Sequence, residues 1–222
     1  MPKKTDVPFR ITRAAIALFS RQGYHGTSTR DIARLADVSE VTLYRYFEHK
    51  EDIFWAALDC CFDALKPRLT SLQANRGSLT PHAFLRKALN VLVDTATFSP
   101  ELIRLIAIAL LEMRGKAEDV CRGHISPFLA LMSTYFQDNI EAGNMRNLNA
   151  SISALAISLT VLGQPELSRL FDGCELSKMD RSDVVNAYSE FWIGALLPSE
   201  QERSQADPSA GIANLMPVEH LR

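Results

Sequence analysis

The sequence contains no long apolar run, and this limits where the protein can reside. The longest uncharged segment, residues 147–165, is interrupted by serine, threonine, asparagine and glutamine, which makes it too polar for a membrane span. No apolar stretch of the kind found in signal peptides follows Lys3 and Lys4. We therefore expect a cytoplasmic protein without a membrane partner.

Cysteine is scarce, and its spacing does not predict disulfides. The four cysteines stand at positions 60, 61, 121 and 174 and favour a reduced setting. Cys121 and His124 have the spacing of two metal ligands, but no second pair completes a zinc set. Adjacent Cys60 and Cys61 leave a redox switch as an alternative. We expect no bound metal and no cofactor.

Motifs of common enzyme sites are also missing. The sequence has no Gly-Lys-Ser/Thr phosphate loop, no Gly-x-Ser-x-Gly turn and no His-Glu-x-x-His pair. Paired Glu-x-x-His repeats, which hold metals inside helical bundles, are absent as well. We therefore expect no catalytic residues and no enzymatic activity.

Charge is unevenly distributed along the chain, although the net charge is only −2. Residues 1–50 contain nine Lys or Arg and five acidic residues, whereas the remainder contains 15 basic and 21 acidic residues. A basic head on an acidic body is typical of a nucleic-acid-binding module joined to a different domain. Chance is the alternative, because the excess is modest.

Apolar periodicity predicts an all-α fold of about nine helices. Ile11, Ala14, Ala15, Leu18 and Phe19 mark one face of a first helix that ends before Gly23. The fourth helix is expected at about 49–67, followed by a polar loop over 68–80. Further helices are expected at about 81–97, 100–114, 118–142, 149–163 and 182–197, with Gly163 to Pro165 as a stop.

The second and third helices predict a helix-turn-helix. Thr27 and Ser28 are the candidate N-caps of the second helix and Ser39 that of the third, and a short turn at Asp37 separates the two helices. The third helix, Glu40 to Phe47, buries Leu43 and Phe47. It leaves outside the side chains of Glu40, Val41, Thr42, Tyr44, Arg45 and Tyr46, of which all but Val41 are polar or aromatic. Such groups reach phosphates and base edges in the major groove, although Tyr46 could instead complete the small core.

Lys50 stands in the first turn of the fourth helix, where a cation opposes the helix dipole. A bound phosphate would reverse the sign of that interaction, because the ammonium and the free backbone N–H groups would then face an anion. Local compensation by Glu51 and Asp52 is the alternative.

The segment from Phe9 to Phe54 resembles the DNA-binding head of the TetR family of bacterial transcriptional regulators. The resemblance is carried by the stretches Ala15–Phe19, Gly23–Tyr24, Asp31–Ala33, Val38–Ser39, Thr42–Phe47 and Lys50–Ile53. It implies a homodimer that binds a palindromic operator as a repressor and is released by a small molecule. A transcriptional activator remains an alternative, as does an all-helical enzyme or ligand carrier without sequence-specific DNA binding.

The resemblance also implies roles for individual residues. Phosphate contacts are implied at Thr27, Thr42, Tyr46 and Lys50, and approaches to bases or their flanking phosphates at Glu40, Val41, Tyr44 and Arg45. Three positions depart from the family pattern. Asp37 replaces the usual glycine of the turn, where a left-handed backbone tolerates aspartate. Glu40 and Val41 replace the more common small or basic residues at the start of the recognition helix. The Glu40 carboxylate cannot pair with phosphate but can accept a hydrogen bond from cytosine N4.

The predicted division of the chain is a helix-turn-helix domain over 1–50, an effector-binding and dimerisation domain over 51–197, and a loose tail over 198–222. Broad apolar faces on helices 149–163 and 182–197 predict the homodimer interface, with core helices of a monomer as the alternative. An effector pocket is expected among the helices of 81–142. Phe84, Met113, His124 and Phe128 are its candidate residues, with ordinary packing as the alternative.

Overall fold

The computed structural model describes residues 7–113, 118, 121–170, 179–199 and 202, and this part of the chain contains ten α-helices and no strand. The helices are α1 (Val7–Gln22), α2 (Thr29–Leu35), α3 (Glu40–Tyr44), α4 (Lys50–Asp63), α5 (Lys66–Ala74), α6 (Pro81–Phe98), α7 (Pro100–Glu112), α8 (Ser126–Glu141), α9 (Ala150–Leu170) and α10 (Arg181–Leu196). A 3₁₀ turn lies at Arg76–Ser78, and a π-helical turn at Cys121–Ile125 leads into α8. The expected all-α class is confirmed.

Local capping sets the boundaries of the first four helices. Gly23, with φ of +75°, ends α1, and its N–H donates to the carbonyl of Phe19. Ser28 and Ser39 cap α2 and α3 by accepting from the backbone N–H groups of Asp31 and Thr42. The Asp52 carboxylate accepts from the backbone N–H of His49 and closes the start of α4.

The turn between α2 and α3 has the backbone that its sequence predicts. Asp37 is the one described non-glycine residue with positive φ, at 53°. The guanidinium of Arg10 in α1 donates to the Asp37 carbonyl at 2.6 Å and to its carboxylate at 3.0 Å. A residue far away in sequence therefore holds the turn that orients α3.

The head has a compact apolar core that reaches beyond residue 50. Ile11, Phe19, Ile32 and Leu43 are fully buried within it, and α4 contributes Ile53, Phe54 and Leu58. Helix α7 packs against α1 and α4 and adds Leu102, Leu105 and Ala109. The domain division at residues 50 and 51 stays a prediction, and apolar packing crosses it.

A second, larger core lies in the body around α6. Helices α5, α9 and α10 pack against α6, and α8 packs against α9. Phe84, Leu89, Phe136 and Ile157 are fully buried there. Helix α6 therefore lies at the centre of the body core, whereas its neighbour α7 packs into the core of the head.

Three predicted boundaries are wrong. Residues 66–74 form α5 rather than a loop, because Pro67 occupies the first turn, where no N–H is needed, and Leu72 is buried in the body core. Helix α3 ends at Tyr44 instead of Phe47. Helix α9 continues through Pro165, which removes one backbone hydrogen bond. The side chains of Gln164 and Ser168 bond across that turn.

Among the described helices, none combines the length and apolar character needed to cross a membrane. Of the predicted tail over 198–222, only Pro198, Ser199 and Glu202 lie within the described residues.

Candidate nucleic-acid interface

Helix α3 presents an exposed face whose residues were expected to meet DNA. Its core contact is Leu43, which is fully buried. Val41 is 74% exposed, and Tyr44 and Tyr46 are each about half exposed. Glu40 and Arg45 are also exposed, and Thr42 is half-buried with its hydroxyl 2.8 Å from that of Ser39. Five of the six candidate residues in and directly after α3 are therefore exposed, and Thr42 is half-buried.

A hydrogen-bonded group at the start of α2 ties two of these side chains together. The hydroxyl of Thr29 donates to the Glu40 carboxylate at 3.3 Å and lies 3.1 Å from the hydroxyl of Tyr44. Sequence reasoning missed Thr29, because its neighbours stand 11 and 15 residues away and meet it only when α2 packs on α3.

The side chain of Lys50, the first residue of α4, contacts the loop between α1 and α2. Its ammonium donates to the carbonyls of Tyr24 at 2.9 Å and Thr27 at 3.1 Å, and lies 4.2 Å from the centre of the Tyr24 ring. An ammonium has three donor protons. The phosphate contact at Lys50 stays a prediction, and the structure adds a second role in holding the loop.

Thr27 occupies a different environment from the other candidates. Its side chain is 1% exposed, and its hydroxyl donates to the carbonyl of Gly23 at 2.9 Å. The contact therefore closes the loop after α1. A phosphate contact through this hydroxyl stays a prediction, and it requires that hydrogen bond to break.

Comparison with known proteins identifies the family of this head. Residues 11–57 match the model for bacterial regulatory proteins of the tetR family. Over 56 residues the chain is 41% identical to IcaR of Staphylococcus aureus, an HTH-type negative transcriptional regulator of the biofilm operon icaADBC. Residues 11–57 form a head of the TetR family.

Similarity to known proteins extends into the body. The IcaR match covers 25% of this chain and 30% of IcaR. RutR of Escherichia coli, an HTH-type transcriptional regulator, is 27% identical over 135 residues, which cover 61% of this chain and 62% of RutR. The chain thus spans less than two thirds of either relative. The structure of AibR in complex with isovaleryl coenzyme A and operator DNA superimposes with a TM-score of 0.65. It covers 83% of this chain and 96% of AibR at 17% identity, which shows a shared fold.

The four candidate effector residues do not lie together. Phe84 is fully buried in the body core, where it stacks on Tyr135 with ring centres 3.7 Å apart. Met113 packs against the core of the head. His124 and Phe128 do meet, in a cleft of about 410 Å³. The structure thus favours packing for Phe84 and Met113.

The cleft lies between α4 and α5 on one side and the π-helical turn and α8 on the other. Phe62, Leu69, Phe128 and Leu131 supply apolar lining. Its polar lining comes from Lys66, Gln73, Arg76, His124 and Thr134. Both a hydrophobic group and a polar group of a small molecule would find complementary side chains there.

His124 connects the two walls of this cleft. Its Nε2 atom lies 2.8 Å from the Asp59 carboxylate on α4, and its ring stacks on Phe62 with centres 4.2 Å apart. The other half of the predicted metal-like pair, Cys121, has a side chain outside the described residues. Within the part of the chain that is described, no three potential metal-binding side chains cluster.

The predicted dimerisation helices carry an exposed apolar surface. Ile152 and Leu159 on α9 and Phe191 on α10 are each more than 60% exposed, and Leu155 is 43% exposed. The hydroxyl of Tyr188 donates to the Thr160 carbonyl at 3.0 Å and joins the two helices. Both helices also bury side chains in the body core, and the dimer interface on their exposed faces stays a prediction.

Proposed function

We propose that this protein is a ligand-responsive, homodimeric repressor that binds a palindromic DNA operator and is released by a small molecule. We further propose that it acts in the cytoplasm through binding alone, without catalysis. The observation that carries the proposal is the exposed face of α3, held on a compact head by Leu43.

The surface chemistry of the head supports DNA binding. Aromatic, hydroxyl and guanidinium groups share the α3 face, and Lys50 lies beside it at the start of α4. Such groups contact phosphates and base edges. Glu40, Val41, Tyr44 and Arg45 are the proposed base-proximal residues, and Thr42, Tyr46 and Lys50 the proposed phosphate contacts.

The exposed apolar surface of α9 and α10 supports a homodimer. Packing of this surface on its copy would form a four-helix interface and remove Ile152, Leu159 and Phe191 from water. A palindrome requires two recognition helices about 34–36 Å apart, one turn of DNA. A dimer through the C-terminal helices would hold two heads in such a relationship.

The cleft at His124 supports control by a ligand. One wall is α4, whose first residue is Lys50 and whose apolar face belongs to the core of the head. A ligand that moves α8 away from α4 would break the contact between His124 and Asp59 and change the position of the head. Binding would then shift the population between arrangements that do and do not fit the operator.

Selection from a pool of random duplex DNA at a stated salt concentration tests this function. We expect enrichment of a palindrome with half-sites one turn apart, and a dimer at micromolar concentration in sedimentation. Salt-sensitive binding without enrichment would show that the head holds DNA without reading it. The enriched operator then permits an effector screen, in which acyl-CoA compounds are one class to include because AibR binds isovaleryl coenzyme A.

A further inference from the structure

We propose that Thr29, Glu40 and Tyr44 form one base-reading unit that selects a cytosine in each operator half-site. The inference rests on the proposed function, since it concerns which base the α3 face prefers. It depends on the direction of two hydrogen bonds at the junction of α2 and α3.

The direction of both bonds follows from the chemistry of the three groups. An ionised carboxylate accepts hydrogen bonds and donates none, so Thr29 must donate in its 3.3 Å contact with Glu40. A hydroxyl has a single proton. Thr29 therefore accepts in its 3.1 Å contact with Tyr44, and the Tyr44 hydroxyl is the donor. The chain of donation runs from Tyr44 through Thr29 to Glu40.

This direction determines what the surface offers to DNA. The proton of the Tyr44 hydroxyl is used internally, so the remaining lone pair of its oxygen is what faces outward. The carboxylate of Glu40 is also an acceptor, and residues 40 and 44 stand one turn apart on the same face of α3. The unit therefore presents acceptors only, and it repels phosphate oxygens and the O6 and N7 acceptors of guanine.

Amino groups are the donors that remain in the major groove. Cytosine presents N4 there, and adenine presents N6 next to the N7 acceptor. If the two neighbouring acceptors of the protein faced adenine, one would accept from N6 and the other would lie against the N7 acceptor and be repelled. Cytosine has no such acceptor on its own major-groove edge, so it is the base that satisfies the unit.

The same unit has a cost for general DNA binding, which provides an independent readout. A carboxylate near the phosphate backbone lowers affinity for every sequence, whereas its contact with N4 restores affinity at cytosine alone. Removing the charge should therefore raise affinity for random DNA while removing the preference for cytosine at one position of the half-site.

The experiment is selection from random duplex DNA with the wild type and the variants Glu40→Gln, Thr29→Val and Thr29→Ser. The wild type should prefer cytosine by about tenfold at one position of each half-site. Glu40→Gln should shift this position to adenine, because an amide pairs with both N6 and N7. Thr29→Val should weaken the cytosine preference, since the Tyr44 hydroxyl is then free to turn, and Thr29→Ser should restore it.

Glu48→Gln is the matched control, because Glu48 is an exposed carboxylate of the head that lies beyond α3. It should retain the cytosine preference, and thermal unfolding should confirm that all variants are folded. The inference would be overturned, and the proposed function left standing, if folded Glu40→Gln kept the base preference of the wild type. The same would follow if the wild type preferred guanine at every position that responds to this variant. Failure of the wild type to enrich any sequence would remove the proposed function, and the inference with it.

Discussion

The head and the body differ in how much of their structure is decided locally. Helices α2 and α3 begin at serines whose side chains accept from the backbone, and α1 ends at a glycine with positive φ. Helices α5 and α8 begin at Leu65 and Ile125, where no side chain caps the helix. Local capping interactions therefore set the helix ends in the head, whereas packing against α6 and its neighbours positions several helices of the body.

The two regions also differ in how they complete their cores. The body fills its core with its own helices, but the head uses Leu102, Leu105 and Ala109 of α7. Helix α7 lies outside the predicted DNA-binding segment, yet it packs against α1 and α4 and completes their core. This shared packing physically couples the head to the rest of the molecule.

Removing a side chain from the shared core should have the largest effect. Leu105 is fully buried, and Leu105→Ala should lower the free energy of unfolding by about 2–5 kcal/mol through lost burial and a cavity. Leu111→Ala, on the same helix and 72% exposed, is the control and should change it by at most about 0.5 kcal/mol. Denaturant unfolding measures both. Equal effects would mean that α7 does not support the head.

A charge on the exposed face of the body should break the dimer without unfolding the chain. Phe191→Glu should weaken self-association by about 2 kcal/mol or more, roughly thirtyfold, because a carboxylate would be buried in the interface. Phe98 is 64% exposed at the end of α6, and Phe98→Glu is the matched control. Sedimentation over a range of concentrations distinguishes the two. The same loss in both variants would remove α9 and α10 from the proposed interface.

Substitution of Lys50 tests two separate contributions of this residue, one to the stability of the head and one to its affinity for DNA. Lys50→Met removes the ammonium that donates to the carbonyls of Tyr24 and Thr27 and should cost about 1–2 kcal/mol of folding free energy. It should also lower affinity for all sequences and reduce the salt dependence by about one unit. Lys87→Met, an exposed site on α6, is the control. A lower stability with an unchanged salt slope would restrict Lys50 to the loop.

The contact between α4 and α7 should also be detectable through Cys61. Burial first, and then the charges of Cys60 and Glu101, raise the pKa of the Cys61 thiol to about 12. In a variant that retains only this cysteine, alkylation at pH 8 should be at least about tenfold slower in the folded chain than in urea. Since the unfolded thiol ionises at lower pH, Cys61 should make the fold less stable as pH rises from about 9 towards 12. Equal alkylation rates would show that the thiol is not shielded.

The sequence predicted which side chains of α3 are exposed better than it predicted the contacts that hold them in place. Exposure of the α3 face followed from the burial of Leu43 and from helical periodicity. The left-handed backbone at Asp37 followed from the resemblance, since glycine is the usual residue at this position of the turn. The bonds of Arg10 to this turn and of Thr29 to Glu40 and Tyr44 could not be found, because they join residues from different helices.

The effector residues show the same limit in the body. Phe84 and Phe128 are both phenylalanines on helical faces, and nothing in their local sequence distinguishes a core position from a cleft position. Packing decides the difference, since Phe84 stacks on Tyr135 in the interior and Phe128 lines the space beside His124.

By itself, the sequence determined the all-α class, the end of α1, the starts of α2 and α3 and the side chains that α3 exposes. These properties depend on caps, turn residues and apolar spacing, which act over a few neighbouring residues. The tertiary structure alone decided that α5 is helical, that α7 completes the core of the head and that Thr29 orients Glu40 and Tyr44. Each of these depends on contacts between distant segments, whose free energy is realised only when the whole chain packs.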